Sequence, residues 1–135
     1  MVHVTLMSAG FKFGHPPASH IFDVTSCPNP RRDVALLRDD YPAWMHHSPV
    51  IQHRIEAIAW YVEQVAPVES GIFAICCTGG QDRSPFITEQ VAARVRQQHL
   101  EWDVRVIHRE ASEGVHLASV PPPGASSGPD SDNAS

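Results

Sequence analysis

The chain has 135 residues, enough to bury one hydrophobic core and too few for two typical domains. Its formal net charge of -5 excludes a global positive field that would attract nucleic acid or an anionic membrane. No apolar run approaches the length of a bilayer span, and the N-terminus lacks the apolar stretch of a signal peptide. The three cysteines, two of them adjacent, are not a disulfide framework, so we expect a cytoplasmic protein without membrane contact.

Short apolar runs alternate with helical patterns along the chain. Strands are predicted at residues 2–7, 20–24, 72–76 and 104–107. Ser48 is a good N-cap with Pro49 at the first helical position, and the apolar residues that follow step by three and four, as in an amphipathic helix. A short helical turn is predicted over residues 33–38, and a second long helix opens at Pro85. The alternation predicts an α/β fold, a small sheet with flanking helices.

The C-terminal part differs in composition from the rest. Residues 118–135 are rich in Pro, Gly, Ser and Asp, and they have no apolar periodicity. Such a segment cannot bury enough apolar surface to offset the entropy of ordering it. We therefore expect one folded domain over residues 1–117 and a disordered tail over residues 118–135.

The Cys-Thr-Gly-Gly loop, residues 77–84, is the most informative segment. It joins the third strand to the second long helix, so its backbone N–H groups converge at the positive end of a helix dipole. Its two glycines let a ligand approach the backbone, and the guanidinium of Arg83 suits phosphate oxygens. The segment predicts a phosphate-binding strand–loop–helix. The candidate ligand-binding residues in it are Thr78, Gly79, Gly80, Gln81, Asp82, Arg83 and Ser84.

The same loop also has the Cys-x5-Arg spacing of cysteine phosphatases. In such an enzyme Cys77 would attack phosphorus while Arg83 clamps the phosphate group. Those enzymes usually place His before the nucleophile, whereas this chain has Cys76, and no clear loop supplies a general acid. Asp23, Asp82 and the pair at residues 39–40 are candidates for that acid. The alternative interpretation of Cys77 is a small buried residue that closes a strand.

Four more short motifs surround this loop. They are Gly-Phe-Lys-Phe-Gly at residues 10–14, Ile-Phe-Asp-Val at 21–24, Cys-Pro-Asn-Pro at 27–30 and His-Arg-Glu at 108–110. Together with the Cys-Thr-Gly-Gly loop, in this order, they resemble the C-terminal domain of the RapZ (YvcJ) family of RNase adapter proteins. The resemblance spans residues 2–110 and has no counterpart of that family's P-loop nucleotide-binding domain, so we expect a free-standing version of the C-terminal domain.

The resemblance implies a fold similar to sugar-phosphate-binding α/β domains and assembly into a homo-oligomer. In enterobacterial members this domain binds glucosamine-6-phosphate and small regulatory RNAs. It also implies that the loop holds phosphate and that Lys12 and Asp23 lie near the pocket. His108, at the end of the last predicted strand, is a further candidate ligand. Asp82 stands where the family usually has His, and Arg31 stands where it often has His or an aromatic residue.

We therefore predict a regulatory domain that senses a small phosphorylated metabolite, such as a sugar phosphate. The histidines lack metal-ligand spacing with the cysteines, so we expect no metal site and no cofactor. Two alternatives stay open: an adapter that binds small regulatory RNAs, and a cysteine-dependent phosphatase that uses Cys77 and Arg83. Besides the small phosphorylated ligand, RNA or another protein is a candidate partner. The acidic balance of the chain and a tail without Lys or Arg weigh against RNA.

Overall fold

A parallel sheet of four strands forms one layer of the domain. The structure, a computed structural model, describes residues 1–111, so the tail predicted over residues 118–135 lies outside the described residues. The strands are β1 (His3–Gly10), β2 (His20–Asp23), β3 (Ile72–Cys77) and β4 (Asp103–His108). Their order in the sheet is β2-β3-β1-β4, and every neighbouring pair is parallel. The predicted α/β fold, a small sheet with flanking helices, is therefore confirmed.

Three α-helices form the second layer on one face of the sheet. They are α1 (Tyr41–His46), α2 (Pro49–Val65) and α3 (Arg83–Gln98). Ser48 caps α2 as predicted, because its hydroxyl oxygen accepts a hydrogen bond from the backbone N–H of Ile51. Among residues 1–111, no helix combines the length and the apolarity needed to cross a bilayer.

The core lies between the helices and one face of the sheet. The strands contribute Leu6, Phe73 and Ile75, and all three are fully or almost fully buried. The helices contribute apolar stripes at helical spacing: Ile51, Ile55, Ile58 and Val62 from α2, and Ile87, Val91 and Val95 from α3. The stripe predicted on each long helix is thus its core face.

A connection without an α-helix crosses the opposite face of the sheet. The sheet presents small side chains there, Ala9, Ala74 and Cys76, and Phe11 and Ala18 of the β1–β2 connection (residues 11–19) pack on them. Small side chains leave room for this chain segment to run close to the sheet.

The predicted helical turn over residues 33–38 is wrong in position. Two 3-10 turns flank that region instead, at Pro30–Arg32 and Arg38–Asp40. Between them the carboxylate of Asp33 accepts a hydrogen bond from the N–H of Ala35, which favours a local turn. The short helix α1, which follows, has too few residues to show an apolar period.

Two predicted boundaries shift by two residues or more, and other strand ends shift by one residue. β1 continues to Gly10 rather than ending at residue 7, because Gly10 still pairs with Cys77 of β3. Helix α3 begins at Arg83 rather than at Pro85. Both changes lengthen the elements that meet at the Cys-Thr-Gly-Gly loop.

Burial of the α2 stripe generates a stability prediction with a matched control on the same helix. Val62 is fully buried, whereas 49% of Val50 is exposed. Val62→Ala removes two buried methyl groups, so we expect the free energy of unfolding to fall by about 2 kcal/mol. The same change at Val50 should alter it by less than about 0.5 kcal/mol. Urea unfolding followed by circular dichroism measures both, and equal effects would contradict the assigned core face.

Candidate phosphate-binding site

A cavity of about 220 Å³ lies at the C-terminal ends of β1 and β3. Because parallel strands end at the same edge of a sheet, three separate connections meet there. The Cys-Thr-Gly-Gly loop supplies one wall, the β1–β2 connection supplies Lys12, and the β2–α1 connection (residues 24–40) supplies Asn29 and Arg31. The loop residues that line the cavity are Cys77, Thr78, Gly79, Gln81, Asp82 and Arg83.

The Cys-Thr-Gly-Gly loop folds back against the end of β1. Gly80 has φ of +73°, a conformation that L side chains rarely adopt. A Cβ atom there would lie 2.7 Å from the backbone nitrogen of Gly10, and one on Gly10 would lie 2.4 Å from the carbonyl carbon of Gly79. The backbone N–H of Lys12 donates to the carbonyl of Thr78 at 3.1 Å. The glycines are therefore required for this close approach.

Cys77 lies at the floor of the cavity and is almost fully buried. Its Sγ accepts a hydrogen bond from the N–H of Gly80 at 3.2 Å and lies 3.3 Å from the hydroxyl of Ser84. That hydroxyl donates to the carbonyl of Ala9 at 3.2 Å. Ser84 and Gly80 thus hold the sulfur atom of Cys77 in position without lining the cavity themselves, whereas Cys77 is part of the lining.

Arg83 lines the cavity and also donates hydrogen bonds to a neighbouring connection. The side chain is almost fully buried, and its Nη1 donates to the carbonyl oxygens of Thr25 and Cys27 at 2.8 and 2.9 Å. These bonds attach the β2–α1 connection to the first turn of α3. Arg83 therefore holds in place the connection that carries Asn29 and Arg31.

Arg31 and Asn29 are cavity residues that the site prediction from sequence missed. The Nε of Arg31 forms an ion pair with the buried carboxylate of Asp82, and this hydrogen bond raises the pKa of Arg31. The side chain of Asn29 accepts a hydrogen bond from the N–H of Arg31 and caps the Pro30–Arg32 turn. The signal for both was the Cys-Pro-Asn-Pro motif, which directly precedes Arg31.

Four predicted site residues lie outside the cavity lining: Gly80 and Ser84, which contact the Cys77 sulfur atom, and Asp23 and His108. The carboxylate of Asp23 accepts from the N–H and the hydroxyl of Thr25 in an exposed turn, and the bond to the hydroxyl is the main reason why the pKa of Asp23 is lowered. His108 projects from β4 toward the helices: its Nδ1 lies 2.7 Å from the hydroxyl of Ser8, and its Nε2 lies 2.7 Å from Glu89. The hydrogen bond from His108 lowers the pKa of Glu89. Within residues 1–111, no cluster of three His, Cys, Asp or Glu side chains could hold a metal ion.

The other two residues of the His-Arg-Glu motif hold the connection that carries Lys12. Arg109 donates through Nη2 to the carbonyl oxygens of Gly10 and Gly14, at 3.3 and 2.6 Å. Glu110 accepts from the N–H of Gly10 at 2.7 Å, and its carbonyl accepts from the side chain of Gln81. The motif thus fixes both ends of the turn beside the cavity.

The comparison with known proteins agrees with the family resemblance that the short motifs indicated. The family model described as "RapZ C-terminal domain" matches residues 2–112. A protein of Neisseria gonorrhoeae (strain NCCP11945), named a nucleotide-binding protein, is 36% identical over 120 residues, which cover 80% of this chain and 41% of that protein. A nucleotide-binding protein of Acinetobacter baumannii (strain ATCC 17978) is 31% identical over 119 residues, covering 79% of this chain and 41% of its own length. The chain thus spans about two fifths of the length of these relatives.

The glycine geometry generates a prediction with an internal control. Gly80→Ala places a Cβ in a left-handed conformation and against the backbone of Gly10, so we expect the free energy of unfolding to fall by at least about 1–2 kcal/mol. Gly79→Ala should change it little, because the nearest atom to its Cβ is the Cε of Lys12 at 3.9 Å. Thermal unfolding of both variants checks this, and equal tolerance at the two positions would rule out the described loop conformation.

Proposed function

This chain belongs to the RapZ C-terminal domain family, and from that premise we propose that it is a regulatory domain that binds a small phosphorylated metabolite, such as a sugar phosphate. The observation that carries the proposal is the convergence of three cationic side chains and the N-terminus of α3 on one small cavity. Lys12, Arg31 and Arg83 line it together with the backbone of the Cys-Thr-Gly-Gly loop. A helix N-terminus and cations together favour an anion over a neutral ligand.

The charges around the cavity support a phosphate monoester. Three cationic side chains face one carboxylate, that of Asp82. The balance is therefore close to two positive charges, and a phosphate monoester carries about 1.5 to 2 negative charges near neutral pH. A guanidinium has five N–H donors, and the ion pair of Arg31 with Asp82 runs through its Nε. Its Nη groups would remain as donors to phosphate oxygens.

A cysteine phosphatase is the second candidate, because Cys77 lies on the cavity floor and accepts the N–H of Gly80. Catalysis would also need a general acid for the leaving group. Among the described residues that line the cavity, the one carboxylate is that of Asp82, and it is engaged by Arg31. Asp23 is held in a turn by Thr25. The geometry therefore supports binding better than turnover.

RNA binding is less well supported, because several arginines outside the cavity already donate hydrogen bonds within the chain. Arg54 donates to the carbonyl of Asp23, Arg94 to Gln52, and Arg96 to the carbonyl of Val104. Contacts with RNA phosphates would compete with these bonds within the chain. Because such affinity comes mainly from cations that displace counterions, we rank this function below the binding of a small phosphorylated ligand.

Removing one cation at the cavity tests the proposed function. We expect Lys12→Ala to weaken the binding of inorganic phosphate and of hexose phosphates roughly ten-fold, because a charge-assisted contact is lost. Arg105→Ala also removes one positive charge, but on an exposed side chain early in β4, and should leave affinity unchanged. Isothermal titration calorimetry measures both. Failure of the unmodified chain to bind any of these ligands would refute the proposed function.

Replacing the thiol distinguishes a binding domain from an enzyme. We expect no turnover of an aryl phosphate by the unmodified chain. Cys77→Ser should retain ligand affinity within about three-fold, because a hydroxyl oxygen can still accept the N–H of Gly80. Release of the coloured phenolate is followed spectrophotometrically, and affinity by calorimetry. Turnover that disappears in Cys77→Ser would instead support the phosphatase.

A further inference from the structure

An apolar groove lies along the β2–α1 connection and α1, outside the phosphate-binding cavity. It consists of two spaces of about 580 Å³ each, which adjoin because Pro28 and Trp44 line both of them. We call it the Trp44 groove; its apolar side chains are Pro28, Val34, Leu36, Ala43 and Trp44. Asn29 lines one of the two spaces and also the cavity, so the groove begins at the edge of the cavity.

The apolar side chains of the Trp44 groove form an accessible surface. Val34 is 98% exposed, and Trp44 packs against the core with part of its ring system and lines the groove with the rest. Leu37, on the same connection, is 70% exposed. Exposed apolar side chains that lie together indicate a binding surface. A groove with an aromatic wall is typical of sites that bind extended proline-rich segments.

The chain itself contains such a segment. The sequence Val-Pro-Pro-Pro occupies residues 120–123, outside the described residues. Successive prolines favour a polyproline II helix, which makes no internal hydrogen bonds and needs no core of its own. Residues three apart share one face of this helix, so Val120 and Pro123 would present a common apolar edge. Residues 114–129 contain no Asp, Glu, Lys or Arg, so docking would remove no charge of this segment from water.

The place at which the described chain ends puts this segment within reach of the groove. The carbonyl of Glu110 accepts a hydrogen bond from the side chain of Gln81, and its carboxylate accepts the N–H of Gly10, so residue 110 is held beside the cavity. Residues 111–119 separate that point from Val120 and can span about 30 Å. A domain of this size has a radius of gyration of about 13 Å. The groove is therefore accessible to residues 120–123.

We propose that the Trp44 groove is the docking site for residues 120–123 of the same chain, with Val120 and Pro123 against Trp44 and Pro28. Short linkers give effective concentrations in the millimolar range. A contact with a dissociation constant of about 1 mM between separate molecules would therefore fill the groove roughly half of the time. The docked segment covers the apolar surface of the groove and closes it to other proline-rich chains.

The accessibility of Trp44 tests this proposal in the full chain. In a Trp60→Phe, Trp102→Phe background, Trp44 is the remaining tryptophan, and acrylamide quenching of its fluorescence measures how far it is covered. Replacing the three prolines at residues 121–123 with Ser should raise the quenching constant about two-fold, as expected when a half-filled groove is emptied. Pro129→Ser makes the same change elsewhere in the tail and should leave the quenching unchanged. Equal quenching with and without the three prolines would overturn the proposal.

Two further measurements identify the occupant. A synthetic peptide of residues 114–126 should restore the protection of Trp44 in the variant without the three prolines, with a dissociation constant of about 1 mM. In the chain that keeps these prolines, the protection should not change when the protein is diluted. Protection that falls on dilution would mean that the segment comes from a second copy, and it would overturn docking within one chain.

Nuclear magnetic resonance checks the same contact without tryptophan substitutions. In the chain with its three tryptophans, the amide signals of Val34 and Ala43 should differ between the unmodified sequence and the variant without the three prolines. The signal of Glu89, on α3 and outside the groove, should coincide in the two spectra. Identical signals at Val34 and Ala43, or changes confined to other surfaces, would overturn the assignment to the Trp44 groove.

Discussion

The close approach of two backbone segments is the constraint on which the site depends. Gly10 ends β1, Gly80 lies in the Cys-Thr-Gly-Gly loop, and neither position leaves room for a Cβ atom. Because β1 and β3 are adjacent and parallel, with Gly10 opposite Cys77, the connections that follow them leave the sheet at the same point. The loop can then turn into α3 beside the small cavity that it lines. A side chain at either glycine would push the loop away from β1 and open the cavity.

The two arginines beside the cavity have different roles. Arg83 is nearly buried, and its bonds to the carbonyls of Thr25 and Cys27 are part of the scaffold that positions the β2–α1 connection. Arg31 belongs to that connection and is about half exposed, and its ion pair with Asp82 sets its orientation. Replacement of Arg83 would therefore disturb this scaffold as well as the proposed contact with a ligand, which makes Lys12 the better position at which to test the proposed binding.

Patterns of residues close together in the sequence were sufficient to predict most of the fold. Three features could be predicted from the sequence because each involves residues only a few positions apart. They are the apolar period of three and four in α2, the Ser48 cap, and the strand–loop–helix at the Cys-Thr-Gly-Gly loop. The region between β2 and α2 could not. Its first 3-10 turn is capped by the side chain of Asn29, and the short α1 buries Pro42 and Met45, which are too few residues to show a period.

The sequence by itself determined the fold class, the family and the strand–loop–helix segment that forms one wall of the cavity, because glycine spacing and apolar periods act over short distances. The tertiary structure decided which side chains share the cavity. The contacts of Asp82 with Arg31 and of Arg83 with Thr25 join residues 51 and 58 positions apart. Asn29 likewise comes to line the cavity with the Cys-Thr-Gly-Gly loop only through folding. Asp23, at the end of β2, is bonded to its near neighbour Thr25, and His108, at the end of β4, contacts Ser8 and Glu89 rather than the cavity. Sequence position indicates the edge of the sheet at which a residue lies, whereas side-chain direction and long-range hydrogen bonds decide what it contacts.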